Sequence, residues 1–452
     1  MPHQRDVKAG YTFSFIFIAS IFSVHYLVTR DISFTLGIVY TVAFASYIWI
    51  SYVEKLNWKM ILCVGVIARL LLIGGVPNLS DDFYRFLWDG SILNEGVSPY
   101  LYKPIELPSN ISITNQEFLL SHLNSTAYYS VYTPLHQLIL SQATSLSNDV
   151  LTQVNAIRVF FILGDVASFY LLKTMIKSRN MHLLSVLFLN PLLIMEGVGN
   201  LHVEVLTITL VLWFLYLQRY QKFLLSSVPI AVAIGLKLTP ALLLPAIAWK
   251  NRWNPGMVWS LLVILITSAL LFPMSIGESF RHIQESLSLY QKTFEFNASF
   301  YYVFREIGYW NKGYNIIATL GPTLSSATAL FILALVFWGT WKKVPGAELM
   351  LFSWTIYLML STTVHPWYML PLLPLAISAG YSYPVIWTFT VFFSYFGYTS
   401  EGYDTPFGWI LAEYSIVYGI LIYEIIKRIL PNLTGTPTDL TVEHSLLPND
   451  LQ

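Results

Sequence analysis

The sequence predicts an all-α polytopic membrane protein, with roughly 12–14 transmembrane helices and a long first external loop that contains short interfacial helices. Hydrophobic residues make up 55% of the 452 residues and charged residues only 11%, whereas a soluble domain has about 25% charged residues. The mean hydropathy is +0.59, and the apolar residues are gathered into long runs. We therefore expect one transmembrane domain over residues 1–430, followed by a polar, disordered cytoplasmic tail at 431–452.

The apolar runs follow one another along most of the chain. They lie at 11–29, 33–53, 58–76, 155–172, 183–195, 201–217, 223–236, 238–249, 255–273, 314–340, 348–362, 366–380, 382–398 and 405–426. Several are shorter than the ~20 residues that a straight span needs. The pair 223–236 and 238–249 is interrupted by Lys237 and Pro240, so it is expected to form a short or re-entrant hairpin buried in protein.

The positions of the basic residues predict the orientation in the membrane, because Lys and Arg are in excess on the cytoplasmic side. With a cytoplasmic N-terminus, a single count of spans places every clear basic cluster inside. These clusters are Arg5 and Lys8, Lys55 and Lys59, Lys173 to Arg179, Arg219 and Lys222, Lys250 and Arg252, Lys342 and Lys343, and Lys427 and Arg428. The count makes both termini cytoplasmic and the segments 77–154 and 274–313 external, and it requires the segment 132–146 to be interfacial.

The most informative local stretch runs from Ser80 to Gly90, directly after an apolar run. It contains Asp81, Asp82, Arg85 and Asp89, and acidic residues at the mouth of a membrane segment are functional candidates by default. A helix over 81–94 would place Asp82, Arg85 and Asp89 on one face, because they are three, four and seven residues apart.

A structural reading of the same stretch is available. Ser80 is a favourable N-cap residue, and carboxylates in a first helical turn complement the helix dipole. This reading explains Asp81 and Asp82, but it leaves Asp89, two turns later, without a reason.

The unusual polar residues gather on the predicted external side. Asp81, Asp82, Arg85 and Asp89 are joined there by Lys103, Glu196, His202, Glu204, Lys237, Arg281, Lys292, Glu295, Arg305 and His365. Such a concentration on one membrane face is typical of a site that handles a charged ligand. Within the apolar runs, Asp165 is expected to make a hydrogen bond between helices, and Arg69 is expected to extend to the outer interface.

Other function classes are disfavoured by composition. The net charge is zero, so no global field favours nucleic acid, and a single cysteine allows no intrachain disulfide. The sequence has no glycine-rich phosphate loop, nucleotide-binding βαβ unit or Cys/His metal cluster. No cofactor is assigned, and a divalent cation bound by oxygen ligands of the aspartate-rich loop stays an open alternative.

Several motifs together carry a resemblance to a known family. In order they are Asp81 to Gly90, Gly96 to Tyr100, Tyr132 to Leu135, Asn190 to Gly197, Gly199 to His202, Lys237 to Pro240, Phe294 to Ser299 and His365 to Tyr368. This series resembles the polytopic mannosyltransferases of the GT-C glycosyltransferase class, which use a polyprenyl-phosphate sugar as donor. One departure is Val203-Glu204, where related chains often have a second small polar residue after the histidine.

The resemblance implies a GT-C-like helical bundle embedded in the membrane. It also implies an activity: transfer of a hexose, most simply mannose, from a polyprenyl phosphate to a hydroxyl of a glycan or lipid acceptor. Transfer would occur with inversion at the external face. The acceptor, the hexose, the linkage and any dependence on a metal are left open.

The chemistry assigns three roles to the external residues. Asp82 or Asp81 is the predicted general base, and repulsion between the two carboxylates is expected to raise the pKa of one of them. Arg85, Lys237 and Arg305 are predicted to bind the donor phosphate. Sugar or acceptor contacts are predicted for Asp89, Glu196, Asn200, His202, Glu204, His365 and Trp367.

Two alternatives come from other function classes. A transporter or flippase of a lipid-linked or anionic substrate would also line a cavity with charges, but it should show inverted repeats and midplane charges in both halves. A non-catalytic membrane scaffold would tolerate replacement of the external acids, and it gives no reason for their clustering.

Overall fold

The computed structural model describes residues 3–54, 56–250 and 254–430. The polar tail 431–452 and the predicted cytoplasmic residues Lys55 and Arg252 lie outside the described residues. The α-helices are α1 (His3–Tyr26), α2 (Ser33–Ile48), α3 (Trp58–Leu70), α4 (Asp82–Asn94), α5 (Gln116–His122), α6 (Pro134–Thr144), α7 (Val150–Met175), α8 (His182–Phe188), α9 (Glu204–Arg219), α10 (Ser227–Leu236), α11 (Leu244–Lys250), α12 (Asn254–Leu271), α13 (Gly277–Thr293), α14 (Phe300–Lys312), α15 (Ile317–Trp341), α16 (Gly346–Leu360), α17 (Leu372–Ala379), α18 (Tyr383–Thr390) and α19 (Phe407–Ile429).

Shorter elements connect or extend these helices. The 3₁₀ helices are Pro104–Glu106, Ser178–Asn180, Leu224–Ser226, Thr239–Leu243, Phe272–Met274, Pro366–Met369 and Val391–Gly397, and the π-helical stretches are Trp49–Glu54 and Leu193–Gly199. An antiparallel hairpin pairs β1 (Tyr398–Thr399) with β2 (Gly402–Tyr403).

The all-α, multi-pass membrane architecture is confirmed, but fewer helices than predicted have the length and composition of a complete span. Six do so in the described part of the chain: Ala9–Tyr26, Ser33–Glu54, Val150–Met175, Gly256–Met274, Ile317–Trp341 and Phe407–Ile429. A seventh is formed if α8 and the stretch Leu193–Gly199, bent by 46°, count as one span. Other apolar runs fold as helices of 10–17 residues, at Leu224–Leu236, Thr239–Ala248, Gly346–Leu360 and Pro366–Ala379. The range of roughly 12–14 included most of these shorter runs as crossings.

The first predicted external segment contains α4, α5 and α6, as the sequence suggested. Helix α4 packs closely on α6: a Cβ added to Gly90 would lie 2.7 Å from the main chain of Leu140, so only glycine permits this approach. The predicted N-cap is one residue too early, because Asp81 occupies the cap position and its side chain makes no capping bond. Ser80 instead accepts a 3.3 Å hydrogen bond from the main-chain N–H of Asp82.

The apolar interior contains one fully buried ion pair between α3 and α7. Arg69 and Asp165 are 0% exposed, and Nε of Arg69 donates to Oδ2 of Asp165 over 2.7 Å. The hydrogen bond predicted for Asp165 between helices is confirmed. The prediction that Arg69 extends to the interface is wrong, because its guanidinium turns inward to Asp165 and to the carbonyls of Gly65 and Phe188.

The predicted interruption near Lys237 is confirmed, since α10 ends at Leu236 and a 3₁₀ helix begins at Thr239. Thr133, at the N-terminus of α6, donates a 2.8 Å hydrogen bond to the carbonyl of Leu236. The start of α6 is thereby fixed beside the break that presents Lys237.

The second predicted external segment folds into the amphipathic helices α13 and α14. Between them, Phe296 forms an isolated parallel bridge with Thr363, with bonds from Phe296 N–H to the Thr362 carbonyl (3.1 Å) and from Val364 N–H to the Phe296 carbonyl (2.8 Å). This contact positions His365 at the end of the paired segment.

Candidate functional site

Asp82 begins α4 at the centre of a cluster of predicted site residues. Its Oδ2 lies 3.8 Å from Nε2 of His202, and its side chain is 28% exposed. The carboxylate is therefore open to a ligand on one side and faces an imidazole on the other.

His202 is held in place by a turn that leads into α9. Its Nδ1 is 3.0 Å from the carbonyl oxygen of Glu196 and 3.2 Å from Oε2 of the same residue. Leu201, just before it, has φ +64°, a left-handed conformation that is rare for a branched aliphatic residue and marks a constrained turn. The Glu196 side chain is fully buried and also accepts hydrogen bonds from Asn200 (3.1 Å) and from the Tyr395 hydroxyl. The structure thus brings Asp82, Glu196, Asn200 and His202 together.

The charges of this cluster are arranged as a carboxylate facing an imidazolium. Burial alone would lower the pKa of His202, but Asp82 and Glu196 more than offset burial and raise that pKa to about 9. Burial would likewise raise the pKa of Asp82, but the nearby His202 and Asn124 hold it below its ordinary value. The expectation that carboxylate repulsion raises the pKa of the base is therefore wrong for Asp82, because a cation faces it.

Asp81 points to a different partner. Its Oδ2 lies 2.5 Å from Nη2 of Arg30, with side chains 37% and 30% exposed respectively. The guanidinium of Arg30 also lies 5.1 Å from the ring centre of Tyr398. Arg30 was missed from the sequence, although it carried a signal: it lies between the first two apolar runs on the predicted external side, where the positive-inside bias makes arginine unusual.

Aromatic rings form one wall beside Asp82 and His202. Trp367 is sandwiched between the imidazoles of His202 (centroids 3.6 Å apart) and His365 (4.4 Å). Phe296 stacks on the other side of His365 at 4.9 Å. Burial, with the charges of His202 and Lys237, outweighs the opposing charge of Asp82 and lowers the pKa of His365 to about 4. His365 is therefore neutral at physiological pH, whereas His202 is charged.

Lys237 reaches the cluster from the break after α10. Its ammonium forms an ion pair with Glu204, whose side chain is 2% exposed, while Lys237 itself is 25% exposed. The ammonium also lies 4.8 Å from the ring centre of Tyr368. Oε2 of Glu204 is buried without a hydrogen-bond partner. The predicted phosphate-binding role of Lys237 stays a prediction, and the departure Val203-Glu204 gains a structural role as its counter-ion.

Arg85 and Asp89 form a supporting pair within α4. Nε of Arg85 donates to Oδ1 of Asp89 over 2.7 Å, and Nη1 donates to the carbonyls of Ser125 and Tyr128. The other oxygen of Asp89 accepts from Ser130 (2.5 Å) and Gln137 (2.9 Å). Because both oxygens are occupied and the side chain is 1% exposed, the structure favours a role for Asp89 in fixing the external loop over its predicted contact with sugar.

Arg305 lies on α14, and its ion pairs hold that helix to the preceding segment. Its guanidinium contacts Glu295 at 2.7 Å and Glu306 at 2.9 Å, and its own side chain is 8% exposed. Glu295 directly precedes Phe296, which packs on His365. Arg305 is thus linked to the aromatic wall through Glu295, the chain neighbour of Phe296. Its positive charge is balanced by the carboxylates of Glu295 and Glu306.

A metal ion finds no ready-made set of ligands in the described residues. Across 3–54, 56–250 and 254–430, no group of three or more His, Cys, Asp or Glu side chains has the arrangement of a metal site.

Comparison with known proteins gives one matching family. The family described as "Alpha-(1->6)-mannopyranosyltransferase, N-terminal domain" matches residues 20–252, just over half of the chain. This region includes Asp81, Asp82, His202 and Lys237, whereas Arg305, His365 and Trp367 follow it.

Two curated relatives are similar over a shorter stretch, and both are named alpha-(1->6)-mannopyranosyltransferase A. The protein from Corynebacterium glutamicum is 28% identical over 198 residues, which are 41% of this chain and 39% of the relative. The protein from Mycobacterium tuberculosis is 26% identical over 189 residues, 40% of this chain and 35% of the relative. The matched stretch therefore spans well under half the length of each relative. No solved structure matches this chain.

Proposed function

The chain belongs to the family of the alpha-(1->6)-mannopyranosyltransferase N-terminal domain, and from this premise we propose that it is a membrane-embedded, GT-C-like mannosyltransferase. The donor would be a polyprenyl-phosphate mannose, and the acceptor a hydroxyl of a glycan or lipid. Transfer would occur at the external face with inversion of the anomeric carbon.

The observation that carries the proposal is the half-open Asp82 carboxylate facing the buried His202. A general base must be ionised and must be reachable by the hydroxyl whose proton it takes. Asp82 meets both conditions, since its pKa lies below the ordinary value and its side chain is 28% exposed. Asp81 is the weaker candidate, because its carboxylate is bound to Arg30. We therefore propose Asp82 as the base and Asp81 as a residue that holds the start of α4.

Inversion requires a single displacement. The acceptor oxygen would attack the anomeric carbon while its proton passes to Asp82, and the bond from that carbon to the phosphate oxygen would break on the opposite face. The departing phosphate gains negative charge and needs fixed positive charge nearby. Protonated His202 and Lys237 are the cations of the cluster that can supply it.

The aromatic wall adjoins the place where the sugar would lie. The faces of the Trp367 ring are covered by the imidazoles of His202 and His365, so the ring edge is the part of Trp367 left for the predicted contact with the sugar. Glu196 and Asn200 act behind it, because their hydrogen bonds keep His202 oriented.

The activity is tested with purified protein in detergent or liposomes. We expect transfer of labelled mannose from polyprenyl-phosphate mannose to at least one member of a panel of mannoside and glycolipid acceptors. Transfer from GDP-mannose with equal efficiency, or transfer of a different hexose only, would contradict the proposed donor.

The external location of the site is tested by cysteine labelling in cells. Ser109 is exposed in the loop after α4, and Cys63, which is also exposed, must first be replaced by serine. We expect Ser109→Cys in the Cys63→Ser background to react with an impermeant maleimide applied from outside. Labelling that appears only after permeabilisation would place the loop, and the site with it, in the cytoplasm.

A further inference from the structure

A third imidazole lies close to the Asp82 cluster and has no role in the proposed chemistry so far. His136 is the third residue of α6, its side chain is 2% exposed, and its Nε2 is buried without a hydrogen-bond partner. The ring lies 5.4 Å from the ring centre of Phe86 and 5.3 Å from that of Tyr132. Leaving a buried polar atom unpaired is unfavourable, so the missing partner of this nitrogen calls for an explanation.

His136 lies next to the elements that carry the Asp82 cluster. Phe86, which contacts it, follows Asp82 by one helical turn. The hydrogen bond from Thr133 to the Leu236 carbonyl fixes the start of α6 beside Lys237. The positive charges of Lys237 and His202, which belong to the Asp82 cluster, also lower the pKa of His136.

Two further buried atoms in this cluster lack partners. Nε2 of His202 and Oε2 of Glu204 are also buried without a hydrogen bond. Together with Nε2 of His136, they are contributed by α6, by the turn before α9 and by α9 itself. Unpaired atoms from three separate elements around one set of charges are expected where a polar ligand completes the hydrogen bonds.

The electrical state of His136 limits what it can bind. Burial lowers its pKa, and Lys237 and His202 lower it further, to about 3. The ring is therefore neutral at physiological pH, so it adds no charge for the phosphate. A neutral imidazole nitrogen is suited to an uncharged hydroxyl, to which it can donate or from which it can accept one hydrogen bond.

We propose that Nε2 of His136 hydrogen-bonds one hydroxyl group of the transferred hexose and thereby helps to select the sugar. This inference rests on the proposed function and adds a specificity-determining residue to it. Binding sites that pair a substrate hydroxyl with a buried polar atom discriminate strongly against an analogue that lacks the hydroxyl, because the protein atom is then left unpaired.

The experiment compares donors rather than total activity. The wild-type protein is assayed with polyprenyl-phosphate mannose and with donors in which the 2-, 3-, 4- or 6-hydroxyl is replaced by hydrogen, and kcat/KM is measured for each. We expect a loss on the order of 10- to 100-fold for the hydroxyl that His136 contacts. His136→Leu should lower kcat/KM for the normal donor. In this variant, removing the hydroxyl that His136 contacts should cause no further loss of kcat/KM, whereas the losses for the other deoxy donors should be the same as in the wild type.

Two further variants keep the result decisive. His136→Gln retains a hydrogen-bonding group and should keep part of the selectivity, which also provides an answer if His136→Leu does not accumulate. His25→Ala is the control for the loss of a buried imidazole, because His25 is 3% exposed and lies on α1, which carries none of the proposed site residues; it should leave the donor profile unchanged.

The possible outcomes separate this inference from the proposed function. If the wild-type protein transfers mannose and both His136 variants keep the complete wild-type donor profile, His136 is a core residue and the inference is overturned. If the wild-type protein transfers mannose from none of the donors, the proposed function fails first, and this inference fails with it.

Discussion

Two pairs of opposite charge in this molecule lie in contrasting surroundings. Arg69 and Asp165 are fully buried, and the guanidinium is satisfied by Asp165 and by two carbonyls. Asp82 and His202 are 3.8 Å apart, Asp82 is partly exposed, and Nε2 of His202 has no hydrogen-bond partner. The Arg69–Asp165 pair is thus closed to solvent and has its hydrogen bonds made within the protein, whereas the Asp82–His202 pair is partly open and has an unpaired nitrogen.

This difference shows why a buried charge alone does not identify a functional site. The Arg69–Asp165 pair joins α3 to α7 and needs nothing further. The Asp82–His202 pair keeps hydrogen-bonding capacity that the protein does not use, which is expected of groups that meet a substrate. The two pairs should therefore respond to mutation in opposite ways.

The largest expected effect is the loss of transfer in Asp82→Asn. Removing a positioned base costs ~10²–10⁴ in rate, and the near-isosteric amide should leave insertion in the membrane and donor binding intact. The matched control is Asp149→Asn, because Asp149 is a true capping residue whose carboxylate accepts from the N–H of Thr152 over 2.8 Å. That variant should keep both its stability and its activity, because asparagine caps a helix about as well as aspartate does. Near-normal turnover of Asp82→Asn would show that Asp82 only complements the dipole of α4 from its first turn, and the base would be sought at Asp81, Glu196 or Glu204.

The closed pair should affect stability instead of chemistry. Arg69→Met leaves Asp165 buried without its cation, which costs about 3–5 kcal/mol. The double variant Arg69→Met/Asp165→Leu removes both charges and should recover most of the loss, which can be followed by thermal unfolding in detergent. The specific activity of the folded double variant should match that of the wild type. A selective loss of turnover at normal stability would give this pair a part in catalysis.

Lys237 should affect donor binding by an intermediate amount. Lys237→Met alone leaves buried Glu204 unpaired, so the informative variant is Lys237→Met/Glu204→Gln. We expect its KM for the lipid-phosphate donor to rise on the order of 10- to 100-fold, because a charge-assisted hydrogen bond is lost. The KM is measured on a variant that accumulates to the wild-type level. An unchanged KM would mean that the Lys237–Glu204 pair is structural, as the Arg69–Asp165 pair is.

The smallest effect is expected in the pH profile. Because the pKa of His202 is raised from 6.5 to about 9, its charge and the stability it contributes are fully present below about 6.5. Both should be lost as the pH rises through about 9. Wild-type activity should therefore decline on the alkaline side near pH 9, and the activity that remains in His202→Gln should not show that decline. A wild-type profile that falls near pH 6.5 would mean that Asp82 and Glu196 do not hold the proton on His202.

The sequence predicted those features that depend on composition and on order along the chain. The all-α membrane class, the short helices after residue 77 and the break at Lys237 follow from apolar periodicity and from interrupting polar residues. The residues Asp82, Glu196, Asn200, His202, His365 and Trp367 were predicted as site residues, and the structure brings them together, although their roles are still proposals.

Partner choice could not be predicted in the same way. Arg30 meets Asp81 across 51 positions, and Arg69 meets Asp165 across 96; neither separation leaves a periodic signal. The spacing of Arg85 and Asp89 correctly placed them on one face, but spacing does not reveal burial, and the burial of Asp89 is what favours a structural role for it. Hydropathy also does not distinguish a short broken helix from a complete crossing, so the number of apolar runs exceeds the number of described helices that have the length of a complete span.

The hydrogen bond between Glu196 and Tyr395 also has a consequence for how the protein is made. These residues are 199 positions apart, so the ribosome must synthesise a large part of the chain after Glu196 before its carboxylate receives this partner. His365 and Trp367 arrive almost as late. The proposed site is thus completed only after a long stretch of further synthesis, and a nascent chain interrupted before His365 would carry the acidic half of the site without the rings and the hydroxyl that enclose it. Such an intermediate would hold the Glu196 carboxylate without its Tyr395 partner.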